Sequence, residues 1–321
     1  MNGTADQSKD QPKRSWWAVL RRTVTEFKDD ELGDRAAALT YYGILSLFPA
    51  LLVLVSVIGI VGEAAAREIL TNLQQLAPGS ARDVLSNAVE QLRSGSGTGS
   101  TVAIIGLVMA MWSASGYVGA FIRASNVVYD VPEGRPLWKV TPLRLGVTMI
   151  LMVLAATSAF IVVVTGGIAE KVGTALGVGG HVMAVWSVAK WPILVVIVMA
   201  MIAILYWATP NAKGRGFRWV TPGSVLALVI WMLASGGFAA YVANFASYNK
   251  TYGTLAGVII FLTWLWITNL AILLGLELDA ELVRERAIVE DGLSKDAELY
   301  ARPRDTRKWT DEERERLSDR D

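Results

Sequence analysis

Side chains able to do covalent or metal chemistry are scarce in this chain. Its 321 residues include one histidine, His181, and no cysteine. Disulfides, thiolate metal sites, catalytic thiols and multi-histidine sites are therefore excluded. The sequence contains no GxxxxGKS/T loop, so it has no P-loop with which to use ATP. It also lacks HExxH and GxSxG. Gly166-Gly167 and Gly177 to Gly180 have no strand before them and are not nucleotide loops. Metal-dependent RNA hydrolysis needs clustered carboxylates or histidines, and RNA binding needs a basic groove with aromatic stacking. Neither pattern is present. No cofactor, metal or nucleic-acid partner is expected, and the chain does not read as an enzyme.

The sequence does offer polar and aromatic residues set in apolar surroundings. Tyr41, Tyr42, Ser46, Pro49, Trp112, Ser115, Asn126, Asn244 and Asn269 are the candidates for lining a cavity that takes a small or lipidic substrate. Ser113 and Thr263 share that setting. Pro49 removes a backbone donor in mid-helix and frees a carbonyl near residue 45; Pro192 does the same further on. Glu277 is expected to pair with Arg35 or Arg123, which lie at the same level, in a structural clamp or at a proton site.

The elements that must position these residues follow from the charge pattern. Hydrophobic residues make up 53% of the chain and charged ones 18%, below the roughly 25% of a soluble domain. The charges fall in blocks. Six stretches carry none: 36–62, 101–122, 145–169, 191–212, 219–249 and 251–276. Each is long enough to cross a bilayer core as a helix, which takes about 20 residues. The expected fold is an all-α, polytopic membrane protein with six transmembrane helices at 36–62, 101–122, 145–168, 183–208, 221–246 and 254–277. Its partner is the lipid bilayer, and an oligomer is possible.

Of the 30 Lys and Arg residues, 24 fall in the two tails and the loops 123–144 and 209–220, and six fall on the other side. The positive-inside bias puts both termini in the cytoplasm, as an even number of spans requires. The location expected is the plasma (inner) membrane. Residues 1–35 lack the apolar core of a signal peptide, so the first span acts as its own insertion signal.

The flanking segments divide the chain further. In the tail 1–35, Trp16, Leu20, Val24 and Phe27 recur at helical spacing beside Arg21, Arg22 and Lys28. That pattern fits an interfacial helix on the inner leaflet, or a helix packed on the ends of the bundle. The outer loop 63–100 reads as an amphipathic helical hairpin broken at Pro78-Gly79. Residues 280–290 can extend the last span, and 293–321 read as a largely disordered cytoplasmic tail. Small residues at Gly116 and Gly119, Ser235-Gly236-Gly237, and Gly253 with Gly257 mark expected helix contacts. Ala114-Ser115-Gly116 and Ala234-Ser235-Gly236 are a faint sign that 36–168 and 183–277 repeat each other with opposite topology.

Several blocks together resemble one family. Asp34-Arg35-Ala36-Ala37-Ala38-Leu39-Thr40-Tyr41-Tyr42, running on to Ser46-Leu47-Phe48-Pro49, is similar to the opening span of the YihY / virulence factor BrkB family, formerly labelled ribonuclease BN-like. Trp112-Ser113 with Asn126 and Tyr129 resembles its second block, and Arg135-Pro136-Leu137-Trp138-Lys139 its next loop. Leu205-Tyr206, Pro210-Asn211, Trp219 and Pro222-Gly223 follow in order, then Tyr252-Gly253-Thr254, Trp264 and Gly275-Leu276-Glu277-Leu278. The resemblance spans roughly 15–285 and implies a six-span inner-membrane protein. Two functions fit. One is a transporter or flippase-like protein that works without ATP on a small or amphipathic substrate. The other is a non-transporting protein that organises the membrane or envelope.

Overall fold

The structure is a computed structural model, and it describes residues 15–61, 99–163, 180–213, 218–244, 254–290, 292–294 and 301–318. The expected outer hairpin at 63–100 lies almost wholly outside them. Eight helices are present among the described residues: α1 (Trp16–Asp29), α2 (Leu32–Val61), α3 (Gly99–Val128), α4 (Leu137–Val163), α5 (Gly180–Ala208), α6 (Pro222–Asn244), α7 (Thr254–Glu290) and α8 (Asp311–Ser318). There is no strand among them, only one isolated bridge between Ala212 and Pro303.

Helices α4 to α6, and α7 as far as Leu276, are largely apolar around their circumference, which suits a helix surrounded by lipid and by other helices. Among the described residues, four segments are long and apolar enough to cross a membrane: Leu137–Val162, Val185–Ala208, Pro222–Tyr241 and Gly257–Glu290. Their outward faces carry large apolar side chains such as Val153, Val188, Leu233 and Ile259. So extensive an apolar exterior is incompatible with water and natural in lipid.

Helix α7 is the axis of the assembly, packing against α6, α2, α1 and α3. Its closest approach is to the start of α6. A Cβ on Gly223 would sit 1.9 Å from the Gly275 carbonyl oxygen, and one on Gly275 would sit 2.3 Å from that of Gly223. Only glycine permits this crossing. The glycines singled out from sequence behave unequally. Gly116 touches the Tyr42 ring and Gly119 the Arg144 side chain, whereas a Cβ at Gly236, Gly237 or Gly257 would meet nothing within 4 Å. Those three do not mark helix contacts. Gly253 lies outside the described residues.

Helix α1 begins at Ser15, whose hydroxyl accepts from the Ala18 amide. It packs on α7 and α2 through buried Val19 and Thr23. Arg22 turns inward, donating to Glu281 at 2.6 Å and Glu285 at 2.5 Å. Arg284 pairs with Glu26 at 3.0 Å. Trp16, Trp17, Leu20 and Val24 face outward. The helix thus packs on the bundle through Val19, Thr23 and Arg22 and presents an apolar face outward. Glu31 closes the turn into α2 with φ of 53°, a left-handed conformation.

The tail corrects an expectation. Residues 301–309 dock on the base of the bundle and are not loose. Arg304 donates to the carbonyls of Ala212 and Trp207, the Asp305 amide donates to Asn211 Oδ1, and the Asn211 amide group donates to the Asp305 carbonyl. Trp309 is buried and donates to the Pro132 carbonyl. A Cβ at Gly134 would clash with the Asp305 carbonyl oxygen, so that position must stay bare. The segment is held by donors, from Arg304, Asp305 and Trp309, that meet acceptors on the base of the bundle. Helix α8 follows it, with Thr310 and Glu313 forming a capping box.

Candidate functional site

A cavity of about 470 Å³ lies among α2 to α7, within the size range of small-molecule sites. Ser46 places it about 20 Å along α2, at a rise of about 1.5 Å per residue. Its walls are mostly apolar, with Leu151, Met152, Val198, Ile202, Trp231 and Leu265 prominent.

The polar atoms on its wall are turned to one another. The Tyr117 hydroxyl donates to Asn269 Oδ1 at 3.0 Å. Asn269 Nδ2 donates to the Thr40 hydroxyl at 3.1 Å, and Thr40 donates to the Ala36 carbonyl at 2.8 Å. Ser46 and Thr268 each bond to a carbonyl in their own helix. Trp264 Nε1 donates to the Ser235 hydroxyl at 3.1 Å. The cavity therefore has an apolar interior with a few polar side chains, among them Ser46, Tyr117 and Asn269, on its wall. Among the described residues that line it there is no nucleophile–base pair and no carboxylate pair.

Two of the residues chosen from sequence, Ser46 and Asn269, line this cavity. The others lie elsewhere. Tyr42 fills the contact with Gly116, under Arg123 at 5.8 Å from its ring centre. Tyr41 is exposed and meets Tyr42 edge-on. Trp112 is exposed beneath the Arg144 guanidinium, and buried Ser115 accepts from Arg144 at 2.7 Å. Thr263 is exposed. The side chains of Pro49 and Asn244 lie outside the described residues. Tyr117, Trp231 and Trp264 were not picked out as lining residues. Their signal was available, since each is an aromatic residue with a polar atom in the middle of an apolar run.

Asn126 belongs to the base. Its Nδ2 donates to Glu133 at 2.9 Å, and its Oδ1 accepts the Asn211 amide at 2.7 Å. Arg135 chelates Glu133 with bonds of 2.7 Å and 2.6 Å and donates to the Thr209 carbonyl. Burial pushes the Glu133 carboxyl up, but Arg135 and Asn126 outweigh it and hold the group below its ordinary value. Lys139 bonds Asp305 at 2.7 Å and, with the Arg307 amide, holds that carboxyl low as well.

The expected pairing of Glu277 with Arg35 or Arg123 does not form. Glu277 is buried, and its Oε2 has no hydrogen-bond partner among the described residues. Arg35 turns to the Asp30 carbonyl at 2.9 Å, and Arg123 stacks over Tyr42. The three share a level in the bundle but not a direction around it.

The profile of the Virulence factor BrkB family matches residues 23–299. The ribonuclease-like protein YfkH of Bacillus subtilis (strain 168) is 27% identical over 276 residues, covering 85% of this chain and 98% of its own length. A UPF0761 membrane protein of Chromohalobacter salexigens is 27% identical, covering 85% of this chain and 66% of its own. Another from Vibrio vulnificus (strain YJ016) is 26% identical, covering 83% and 82%. No solved structure matches the chain. With most of its length matched by one family profile and four helices able to cross a bilayer, the chain belongs to the virulence factor BrkB family of membrane proteins.

Proposed function

We propose that this protein moves an amphipathic, lipid-like substrate across the plasma (inner) membrane without ATP, in the manner of a transporter or flippase. The observation that carries this reading is the cavity among α2 to α7, whose apolar walls suit a hydrocarbon segment and whose lining Asn269 and Tyr117 suit a polar end. A bundle serving only as a scaffold has no need of such a space. The proposal includes six spans with both termini in the cytoplasm, supported by the six charge-free stretches and the 24-to-6 distribution of Lys and Arg.

It also sets aside nuclease chemistry, despite the ribonuclease-like name of the Bacillus relative. Among the described residues, no three Asp, Glu or His side chains converge to hold an ion. Purified protein that cleaves RNA, with cleavage abolished by one substitution, would overturn that part.

The test is flux of a fluorescent phospholipid in proteoliposomes. The full chain is expected to exceed protein-free vesicles, and a Ser46→Val/Asn269→Leu double variant to fall about tenfold, equivalent to about 1.4 kcal/mol on the barrier. Absence of flux from the folded protein, for phospholipids and small amphiphiles alike, would favour the membrane-organising role. The cysteine-free sequence makes topology directly testable by single-cysteine labelling at Lys9 and Tyr300, both expected to react only from the cytoplasmic side.

A further inference from the structure

A second, smaller cavity of about 100 Å³ opens at the base, where α5 ends, α6 begins and α7 leaves its apolar stretch. Three guanidiniums line it from three separate segments. Arg218 comes from the approach to α6, Arg286 from α7, and Arg304 from the docked segment 301–309. One carboxylate faces them, that of Asp279, and it already accepts the Gly223 amide at 2.8 Å. Arg304 bonds only neutral carbonyls, those of Ala212 and Trp207, and neither it nor Arg218 has a carboxylate partner among the described residues. The cavity therefore holds an excess of positive charge. Leu282 and Val283 give it an apolar flank.

We propose that this cavity binds a phosphate group, supplied by an anionic phospholipid of the adjoining leaflet. Arginine matches phosphate in charge and in its forked donor geometry. The volume suits a single phosphate and excludes a nucleotide. The level is that of lipid headgroups, because three membrane-crossing helices pass or end there, and basic pockets between such helices recognise anionic headgroups. The site is separate from the larger cavity, so it does not depend on transport.

The test uses the full chain in nonionic detergent, with thermal unfolding and tryptophan emission as readouts; Trp207 sits under Arg304 at 5.9 Å and reports on the site. Phosphatidylglycerol or phosphatidylcholine is added in mixed micelles, and sodium phosphate in a parallel series. Phosphatidylglycerol is expected to raise the unfolding temperature and change the emission, and phosphatidylcholine is not. Arg218→Gln/Arg304→Gln should need about tenfold more phosphatidylglycerol, equivalent to about 1.4 kcal/mol. Because Arg304 also holds the tail, Arg218→Gln alone is measured as the variant that leaves docking intact, with Arg307→Gln as a charge control expected to bind normally. If sodium phosphate alone reproduces the response and phosphatidylglycerol adds nothing, the phosphate site stands with the free anion as its ligand. Equal responses to the two lipids, or unchanged binding in both Arg218 variants, would overturn the site.

Discussion

The base and the middle of this bundle solve opposite problems with similar residue types. At the base, side chains reach between segments distant in sequence. Arg22 spans to α7, Arg135 to the end of α5, and Asn211 to the tail. In the middle, Ser46, Thr268 and Thr148 bond backward into their own helices, and Asn269 and Trp264 supply the cross-helix bonds described above. The base is consequently specified by polar contacts, with only a small cavity, while the middle keeps an apolar interior with more unfilled volume. The same hydroxyl or amide can lock an interface or leave a wall greasy, depending on where its partner lies.

Substitutions that exchange these characters test the contrast. Gly223→Leu should have the largest effect, because its side chain would meet the Gly275 carbonyl and not a yielding side chain. A loss of about 3 kcal/mol or more is expected, seen as a collapse of folded yield or unfolding temperature. Arg22→Ala should cost about 2 kcal/mol, since it strips the buried Glu281 of a partner; the figure is reduced from the fully buried case because Arg22 itself is 30% exposed. Denaturant unfolding followed by tryptophan emission measures it, and a cost below 0.5 kcal/mol, about the scale of a surface change, would mean the clasp is dispensable.

Asp30 gives a smaller effect with a definite pH dependence. Burial, then the neighbouring Asp130 and Glu26, push its carboxyl up to about 7. An unfolded Asp titrates near 4. Between about pH 4 and 7 the folded protein holds a proton that the unfolded chain has released, so stability falls as pH rises through that window. Asp30→Asn should flatten the slope and stabilise the protein by about 1 kcal/mol at pH 8, a value lowered for the partial exposure of the carboxyl. An unchanged pH profile of the unfolding temperature would refute it. The smallest effect on stability belongs to the middle. Ala155→Leu adds bulk to the large cavity and should be neutral or stabilising by less than about 1 kcal/mol, while reducing phospholipid flux. Destabilisation by more than that would show that the space is already filled.

Much of the fold was legible because lipid imposes a simple rule on composition. Charge-free runs of spanning length locate each of α2 to α7, with ends that differ by up to 14 residues, and the mid-run polar residues Ser46 and Asn269 fall on the cavity. The errors share a cause. Helical spacing and membrane depth do not give direction around the bundle axis, so Glu277 was matched with arginines that point elsewhere. Gly236 and Gly237 were marked as contacts, although the close crossing is between Gly223 and Gly275. The tail was misread because its partners are the carbonyls of Trp207, Ala212 and Pro132, which leave no trace in sequence. A lone Trp309 in a run of charges was the available sign.

The docking of residues 301–309 also imposes an order on biogenesis. This segment leaves the ribosome only after α2 to α7 have been made. Until then Asn211 Oδ1 and the carbonyls of Asn211 and Ala212 lack the donors that Asp305 and Arg304 bring to them. The base of the bundle is thus completed by the chain's own late segment, and a product interrupted after α7 carries an open, polar seam that a quality-control protease could recognise as unfinished.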